Sequence, residues 1–173
     1  MLKYNFNTFF KSVKERNLSN PAVFFATGFG VGLLPIAPGT WGSILAVFMA
    51  WGIVSIFSHL ALLTVTIFVF FIGIFASEFC INHFSSSDPK QVVIDEIVAQ
   101  WLVLLVVPLE PLNYLVGFII FRFFDIFKPW PISWIDKNLK GGFGIMADDV
   151  LAAVFAIIIL YGVSLWTGSI NVY

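Results

Sequence analysis

A long stretch without charge dominates the first half of the chain. No Asp, Glu, Lys or Arg occurs between Arg16 and Glu78, and apolar side chains fill most of that interval. A soluble domain carries about 25% charged residues, whereas this chain carries 11% and is 60% hydrophobic. One aqueous core could not hide so much apolar side chain. The sequence therefore predicts an integral membrane protein.

The length, net charge and cysteine content narrow the class of protein further. A chain of 173 residues suits one membrane bundle, and its formal net charge of −1 gives no support to nucleic-acid binding. The sequence contains one cysteine, Cys80, so an internal disulfide is excluded and a thiolate metal site is not expected. The expected environment is the membrane itself.

Apolar runs long enough to form membrane helices recur along the chain. A spanning helix needs about 20 residues at about 1.5 Å each. We predict an all-α polytopic bundle with about five spanning helices, at residues 41–57, 60–80, 90–107, 112–127 and 148 to about 166. The earlier run, 21–34, is short and rich in glycine, so a broken or re-entrant element is expected there.

The N-terminus differs from the rest of the chain. Residues 1–20 interleave Phe with Lys and Arg, a pattern typical of an amphipathic segment at the membrane interface. A cleaved signal sequence is the alternative for this region. Residues 21–173 are expected to form a single membrane-embedded domain.

Basic residues predict the orientation of the bundle. The positive-inside rule places the basic N-terminus in the cytoplasm. With five spans, the polar loops 82–91 and 128–147 lie on that same side, and a full crossing by 21–34 would move them outside. The basic residues of these loops are Lys90, Lys128, Lys137 and Lys140. Under either topology the acidic helix ends and residues 35–43 lie on one side of the membrane.

Five carboxylates lie at the ends of otherwise apolar segments. They are Asp95, Glu96, Asp125, Asp148 and Asp149. A charge at the centre of a membrane helix costs about 2.5–3.5 kcal/mol on insertion scales, so acids that recur beside the membrane need a partner. Asp95 and Glu96 are expected in the first turn of one helix, and Asp148 and Asp149 are expected to open the last. Carboxylate oxygens without His or Cys predict a hard cation such as Mg²⁺.

Two cations and a hydroxyl-bearing loop accompany the acids. Leu115, Phe118, Arg122 and Asp125 fall on one helical face by their spacing. Arg122 and Lys128 would not bind the metal, but they suit an anion that the metal also binds, and phosphate fits both roles. The predicted loop 37–43 adds backbone N–H groups and two hydroxyls. The predicted phosphate-binding residues are Arg122, Lys128, Gly39, Thr40 and Ser43. A second glycine loop is expected at 141–144.

Each of these features also has a simpler explanation when it is taken alone. First-turn acids often serve only as caps or dipole partners, and Arg122 with Asp125 can form a structural ion pair. Lys137 and Lys140 can act only as topology determinants. Glu78 and Glu110 are expected to be solvated helix ends. The gathering of acids, cations and hydroxyls on one side is what favours a site.

Four blocks of the sequence resemble the phosphatidylglycerophosphatase A family. They are LPIAPGTWGS at 34–43, VIDE at 93–96, FRFFDIFKPWP at 121–131 and GGFGIMADD at 141–149. Their order and their extent, from about residue 20 to 153, make the resemblance specific. Ala99 and Ala153 stand where the family blocks would have Gly, which bears on tight helix packing more than on chemistry.

The resemblance implies a membrane-embedded, Mg²⁺-dependent lipid phosphatase that converts phosphatidylglycerophosphate to phosphatidylglycerol. It implies that Asp95, Glu96, Asp125, Asp148 and Asp149 form the acidic catalytic and metal site. A bacterial inner membrane, with the site on its cytoplasmic face, is the expected location. Metal-assisted attack of water on phosphorus is the expected reaction. The identity of the general base and a transient aspartyl-phosphate are both left open.

Two other functions use similar residues. A cation-coupled transporter also collects acids within the membrane, but it predicts acids near the bilayer midplane and an inverted repeat, which the sequence does not show. A phospho-alcohol transferase would also bind metal through carboxylates, but its Asp-Gly-x-x-Ala-Arg pattern is absent from the sequence. The lipid phosphatase is the preferred interpretation, and the transporter is the alternative.

Overall fold

The structure, a computed structural model, describes residues 18–167, the last of them by its backbone alone. Within this range it contains α-helices, one 3₁₀ turn and no strand. The helices are α1 Pro21–Ala26, α2 Pro38–Ile56, α3 His59–Phe84, α4 Ile94–Leu104, α5 Pro111–Phe127, α6 Ile132–Asn138 and α7 Gly141–Thr167, and the 3₁₀ turn is Val31–Leu33. The all-α prediction is confirmed. Most of the predicted interfacial segment 1–20 lies outside the described residues.

Three of the described helices are long and apolar enough to cross a membrane. They comprise Pro38–Ile56, His59–Phe84 and Gly141–Trp166. Large apolar side chains are exposed on their outer faces, such as Phe48 at 72% exposed and Phe75 at 76%. Such faces suit lipid rather than water. The chain is a membrane protein.

Helix α4 is shorter than the span predicted at residues 90–107. It has 11 residues and is therefore about 16 Å long, about half the thickness of the hydrocarbon core. Protein surrounds it, because most of its side chains are buried and it packs against α2, α3 and α7. At its centre the indole of Trp101 donates a hydrogen bond to the carbonyl of Ala46, 2.9 Å away. The count of five spans stays a prediction.

The N-terminal element is broken, as predicted. Helix α1 has six residues and is capped by Asn20, whose side chain accepts a hydrogen bond from the N–H of Ala22. It ends in a turn where Gly28, Phe29 and Gly30 all have positive φ. The N–H of Val93 donates to the carbonyl of Ala26 at 2.9 Å. This bond fixes the residue before α4, and with it the position of the acids in the first turn of α4.

Candidate active site

Separate parts of the chain meet at one polar cavity of about 840 Å³. Its lining comes from the start of α2, the first turn of α4, the last turn of α5, and α6 with the first turns of α7. The carboxylates that the sequence singled out all line it: Asp95, Glu96, Asp125, Asp148 and Asp149. Gly39, Thr40, Arg122 and Lys128 line it too. The predicted gathering of these side chains on one side of the bundle is therefore observed.

Three of the carboxylates form a tight acidic cluster, which we call the trio: Asp95, Glu96 and Asp149. One oxygen from each lies within 4.8 Å of the others. Oδ1 of Asp95, Oε2 of Glu96 and Oδ2 of Asp149 are buried and have no hydrogen-bond partner among residues 18–167. Buried anionic oxygens so close together repel one another unless a cation or a proton lies between them. Since all the donor atoms are carboxylate oxygens, the trio fits a hard divalent cation.

Arg122 connects the trio to the start of α2. Its Nη1 forms an ion pair with Asp125, one turn along α5, and lies 3.9 Å from Oε1 of Glu96. The same guanidinium donates to Oγ of Ser43 at 3.2 Å and to Oγ1 of Thr40 at 3.4 Å. Its Nε is buried and has no hydrogen-bond partner among the described residues. The predicted proximity of Arg122 and Asp125 is confirmed.

The predicted loop at 37–43 is wrong from residue 38 onwards. Helix α2 begins at Pro38, whose fixed φ suits a first helical position. Thr40 and Ser43 are therefore helical, and Ser43 also donates to the carbonyl of Gly39 at 3.1 Å. Ser43 reaches the site only through Arg122. Both hydroxyls accept hydrogen bonds from the guanidinium of Arg122 and so orient it.

Gly39 allows the close approach of α2 to the trio. A Cβ at this position would overlap Oε1 of Glu96 and lie 3.4 Å from Nη1 of Arg122. The absence of a side chain at Gly39 therefore leaves room for the carboxylate of Glu96. Gly39 was predicted to help bind phosphate, and its observed contact is with this acid.

Lys128 forms a second charged group in the cavity. It ends α5 in the left-handed conformation, with φ of 40°. Its Nζ donates to Oδ1 of Asp136 at 2.8 Å and forms an ion pair with Asp148. Burial lowers the pKa of Lys128, but the charge of Asp148 and its bonds to both carboxylates outweigh this and raise the pKa above its usual value. Lys128 therefore stays charged and neutralises Asp148.

Asp136, which lies in α6, was not among the predicted site residues. No spacing relates it to Lys128, so the only signal was an acid in the same polar stretch. Burial raises the pKa of Asp136, yet the hydrogen bond and charge of Lys128 lower it overall. The lysines Lys90, Lys137 and Lys140, predicted only as topology determinants, also line the cavity.

Helix α7 begins earlier than predicted. It starts at Gly141, so Asp148 and Asp149 lie about two turns inside it and do not open it, and the predicted glycine loop is helical. A Cβ at Gly142 would overlap the carbonyl of Ile74, so the glycine lets α7 press against α3. The N–H of Gly142 donates to Oε2 of Glu78 at 2.6 Å. Glu78 is thus a cap of α7, not merely a solvated helix end.

The two neighbouring acids of α7 have different surroundings. Successive residues of a helix point about 100° apart. Asp149 therefore joins the trio, whereas Asp148 faces Lys128. The five acids divide into a trio and two carboxylates that are already paired with cations, Asp125 and Asp148. This division could not be read from the sequence.

Comparison with known proteins assigns the chain to a family. The family described as phosphatidylglycerophosphatase A matches residues 24–164. The chain belongs to the phosphatidylglycerophosphatase A family. It is 37% identical over 155 residues to phosphatidylglycerophosphatase A of Haemophilus influenzae, which covers 89% of this chain and 95% of that protein. It is 37% identical over 152 residues to phosphatidylglycerophosphatase A of Escherichia coli K12, covering 83% and 84%.

A third relative is named differently. A protein of Bacteroides thetaiotaomicron, whose name proposes a phosphatidylinositol-3-phosphatase, is 39% identical over 144 residues, covering 80% of this chain and 90% of that protein. No solved structure matches the chain. The matched region contains every candidate residue from Gly39 to Asp149. The family assignment gives no support to the transporter alternative.

The two alanines that depart from the family blocks lie in packed interfaces. Ala99 of α4 and Ala153 of α7 are both fully buried. Ala152 and Ala156 lie beside Ala153 and are buried as well, and α4 packs against α7. Small side chains at a helix contact allow close approach in membrane proteins. The departures therefore leave the close packing below the trio intact.

Proposed function

We propose that this protein hydrolyses phosphatidylglycerophosphate to phosphatidylglycerol and phosphate, and that the reaction depends on Mg²⁺. One observation carries the proposal: three clustered carboxylates, each with one buried oxygen that has no hydrogen-bond partner among residues 18–167, share a cavity with Arg122 in a chain of this family. Their donor atoms suit Mg²⁺, and the neighbouring guanidinium suits phosphate. The substrate is thus a lipid with a terminal phosphate ester.

The carboxylates of the trio would hold the metal. Mg²⁺, when bound, supplies positive charge that polarises the phosphoryl oxygens and offsets the charge of the acids. Asp125 and Asp148 contribute differently, because each already pairs with a cation. They fix Arg122 and Lys128 in the cavity, within reach of the same ligand.

The side chains of the cavity also perform the remaining steps. Arg122 binds and orients the phosphate, and Thr40 and Ser43 hold the guanidinium in place. A carboxylate of the cavity takes the proton of the attacking water, and this proton is passed to the glycerol oxygen that leaves phosphorus. Lys128 supplies further positive charge close to Asp148. The five acids remain the candidates for the base.

The proposed location is the bacterial inner membrane, with the cavity at its cytoplasmic face. The cations around the cavity support this orientation by the positive-inside rule. They are Lys90, Lys128, Lys137 and Lys140. Residues 21–173 are proposed to act as one membrane-embedded domain that takes its substrate directly from the bilayer.

Phosphate release from phosphatidylglycerophosphate by detergent-purified protein tests the activity. We expect EDTA to abolish release and excess Mg²⁺ to restore it. Glu96→Gln should lower kcat by about 100-fold or more, since it removes one anionic oxygen of the trio. Glu110→Gln is the matched control, because Glu110 is exposed and does not line the cavity. Activity that survives both EDTA and Glu96→Gln would reject the mechanism.

A stability measurement tests the metal independently of turnover. A ligand that binds only the folded protein raises the melting temperature. Added Mg²⁺ should therefore raise the melting temperature of the wild-type protein, and the rise should disappear in Asp149→Asn. An equal rise in Asp149→Asn would place the metal elsewhere.

Head-group selectivity needs its own comparison, because one relative carries a different name. Phosphatidylinositol-3-phosphate should be tested beside phosphatidylglycerophosphate at matched chain length. We expect the higher kcat/KM for phosphatidylglycerophosphate. The opposite ranking would reject the proposed substrate while leaving a lipid phosphatase.

A further inference from the structure

An apolar groove of about 470 Å³ opens between α2 and α5, outside the polar cavity. Its α2 wall runs from Ile44 to Trp51 and its α5 wall from Pro111 to Phe118. Each wall covers seven residue steps, or about 10 Å along its helix. The groove is therefore about a third of the hydrocarbon thickness in length.

The groove begins where the phosphate site ends. Ile44 follows Ser43 directly, and Phe118 lies one turn before Arg122 on the same helical face. The hydrogen bonds of Arg122 to Ser43 and Thr40 join α2 and α5 above the groove. The facing surfaces of α2 and α5 are thus polar at the end near Arg122 and apolar along the groove.

Trp51 and Tyr114 narrow the groove towards its far end. Trp51 and Tyr114 meet edge to face with ring centroids 5.4 Å apart, and Tyr114 is 2% exposed. The two helices therefore touch above and below the groove and leave a gap of limited length between. A slot of this shape suits a single flexible hydrocarbon chain.

We propose that the groove holds one acyl chain of the phospholipid substrate while its phosphate lies at Arg122. This inference rests on the proposed function. The amphipathic form of the surface matches an amphipathic ligand, with the cation at the head-group end and apolar side chains along the chain.

The groove would orient the substrate without supplying a hydrophobic driving force. An acyl chain leaves lipid surroundings that are as apolar as the groove itself, so only packing and positioning are gained. Other lipids of the bilayer carry similar acyl chains and compete for the groove. The substrate has an advantage because its head group is bound at the same time, which raises the effective concentration of its own chain in the groove.

Filling the groove tests the proposal. Val47→Trp and Leu115→Trp place a large side chain in the slot. Val154→Trp and Leu165→Trp are the matched controls, since both residues are exposed on α7 and line neither cavity. Each variant is assayed in detergent with dipalmitoyl and with dihexanoyl phosphatidylglycerophosphate.

The readout is the ratio of kcat/KM for the long-chain lipid to kcat/KM for the short-chain lipid. We expect this ratio to fall about tenfold in the groove variants, less than the full cost of a misplaced reacting group, and to stay near the wild-type ratio in the controls. An unchanged ratio in active groove variants would overturn the inference and leave the proposed function standing. Wild-type protein that releases phosphate from neither lipid would overturn both.

Photolabelling provides a measurement that does not need turnover. A non-hydrolysable phosphonate analogue of the substrate, with a diazirine in its acyl chain, should label peptides of α2 and α5 in the wild-type protein. Val47→Trp should reduce this labelling. Equal labelling by a phosphatidylcholine with the same chain would show that bulk lipid fills the groove. A wild-type protein that is dimeric in detergent, with a monomeric Val47→Trp variant, would show that a second copy fills it. Either result would overturn the inference.

Discussion

Gly39→Ala offers a sharp test of how the trio is positioned. The φ of Gly39 lies outside the left-handed region, so the backbone accepts alanine. The new Cβ, however, would lie closer than 3.0 Å to the carboxylate of Glu96. Because that carboxylate ends a flexible side chain, it can retreat at little cost in folding free energy. We therefore expect Gly39→Ala to lower the activity of the protein more than its stability.

The size of the effect follows from the geometry. Restoring an ordinary van der Waals contact moves the Glu96 carboxylate by on the order of 1 Å, and such a displacement in an active site can cost about 100-fold in rate. We expect kcat/KM for phosphatidylglycerophosphate to fall by about 10- to 100-fold, and the Mg²⁺ concentration needed for half-maximal rate to rise. The melting temperature should stay close to that of the wild type.

Gly52→Ala is the matched control on the same helix. A Cβ at Gly52 meets nothing within 4 Å, and alanine inside a helix is favoured over glycine by about 0.8–1.0 kcal/mol. This variant should keep wild-type activity and melt at the same or a higher temperature. It separates the steric effect at Gly39 from the general effect of replacing glycine by alanine.

A double variant identifies the clash. Glu96→Asp shortens the acid by one methylene, which moves the carboxylate away from the new Cβ. Gly39→Ala should therefore lower activity less in the Glu96→Asp background than in the wild type, and this non-additivity is expected only of residues in contact. Phosphate release and Mg²⁺ titration measure all four proteins. Wild-type activity in Gly39→Ala, or strictly additive losses, would refute the reasoning.

Three further predictions concern packing and charge. Gly142→Ala should destabilise the protein by about 1–3 kcal/mol because α7 must move away from α3, whereas Gly162→Ala, with nothing within 4 Å of its Cβ, should not; thermal unfolding in detergent compares them. Lys128→Met should lower the melting temperature because it leaves Asp148 buried without its cation, and adding Asp148→Asn should restore part of the loss. Asp136→Asn should lower the melting temperature most at neutral pH. Because the pKa of Asp136 is lowered in the folded protein, the stability that its charge contributes is lost as the pH falls below about 4. The melting temperatures of the variant and the wild type should therefore converge in acid.

Much of the fold could be predicted from hydropathy and from helix-terminal residues. The spans predicted at 41–57 and 60–80 correspond to α2 and α3, and Pro111 starts α5 as expected of a first-position proline. The exception is α4. An apolar run indicates burial without saying whether lipid or protein covers it. Eight of the eleven residues of α4 are apolar, and it is other helices that surround them.

The start of α7 shows a different limit of the sequence. Three glycines among residues 141–144 predict a turn, yet the segment is helical. The cause lies on another helix, since the backbone of α3 at Ile74 approaches Gly142 too closely for a side chain. Gly142 allows α7 to contact α3, and the sequence around residue 142 does not indicate that α3 lies there. The cap from Glu78 was missed for the same reason.

The residues of the site could be predicted as a set, but not as pairs. Charged side chains beside apolar segments stand out in any sequence of this composition, and all five acids line one cavity. Which cation faces which acid depends on helix rotation and on loop paths. Asp136 enters the site because α6 folds back beside Lys128, a consequence of tertiary packing alone.

The pairing of the acids is the reason we propose a metal cation in this site. Arg122 and Lys128 each form an ion pair with one acid, Asp125 and Asp148 respectively. The trio is left with three carboxylates. Among residues 18–167, the cation that forms an ion pair with it is Arg122, which lies 3.9 Å from Glu96 while it is paired with Asp125. Two charges that neutralise their own partners cannot also neutralise the trio. The proposed divalent cation would balance most of that excess, and the proposed phosphate would meet Arg122 in the same cavity. The division of the acids therefore separates residues that look alike in the sequence: in the proposed mechanism the trio would bind the metal, and the two paired acids would hold the cations that meet the substrate.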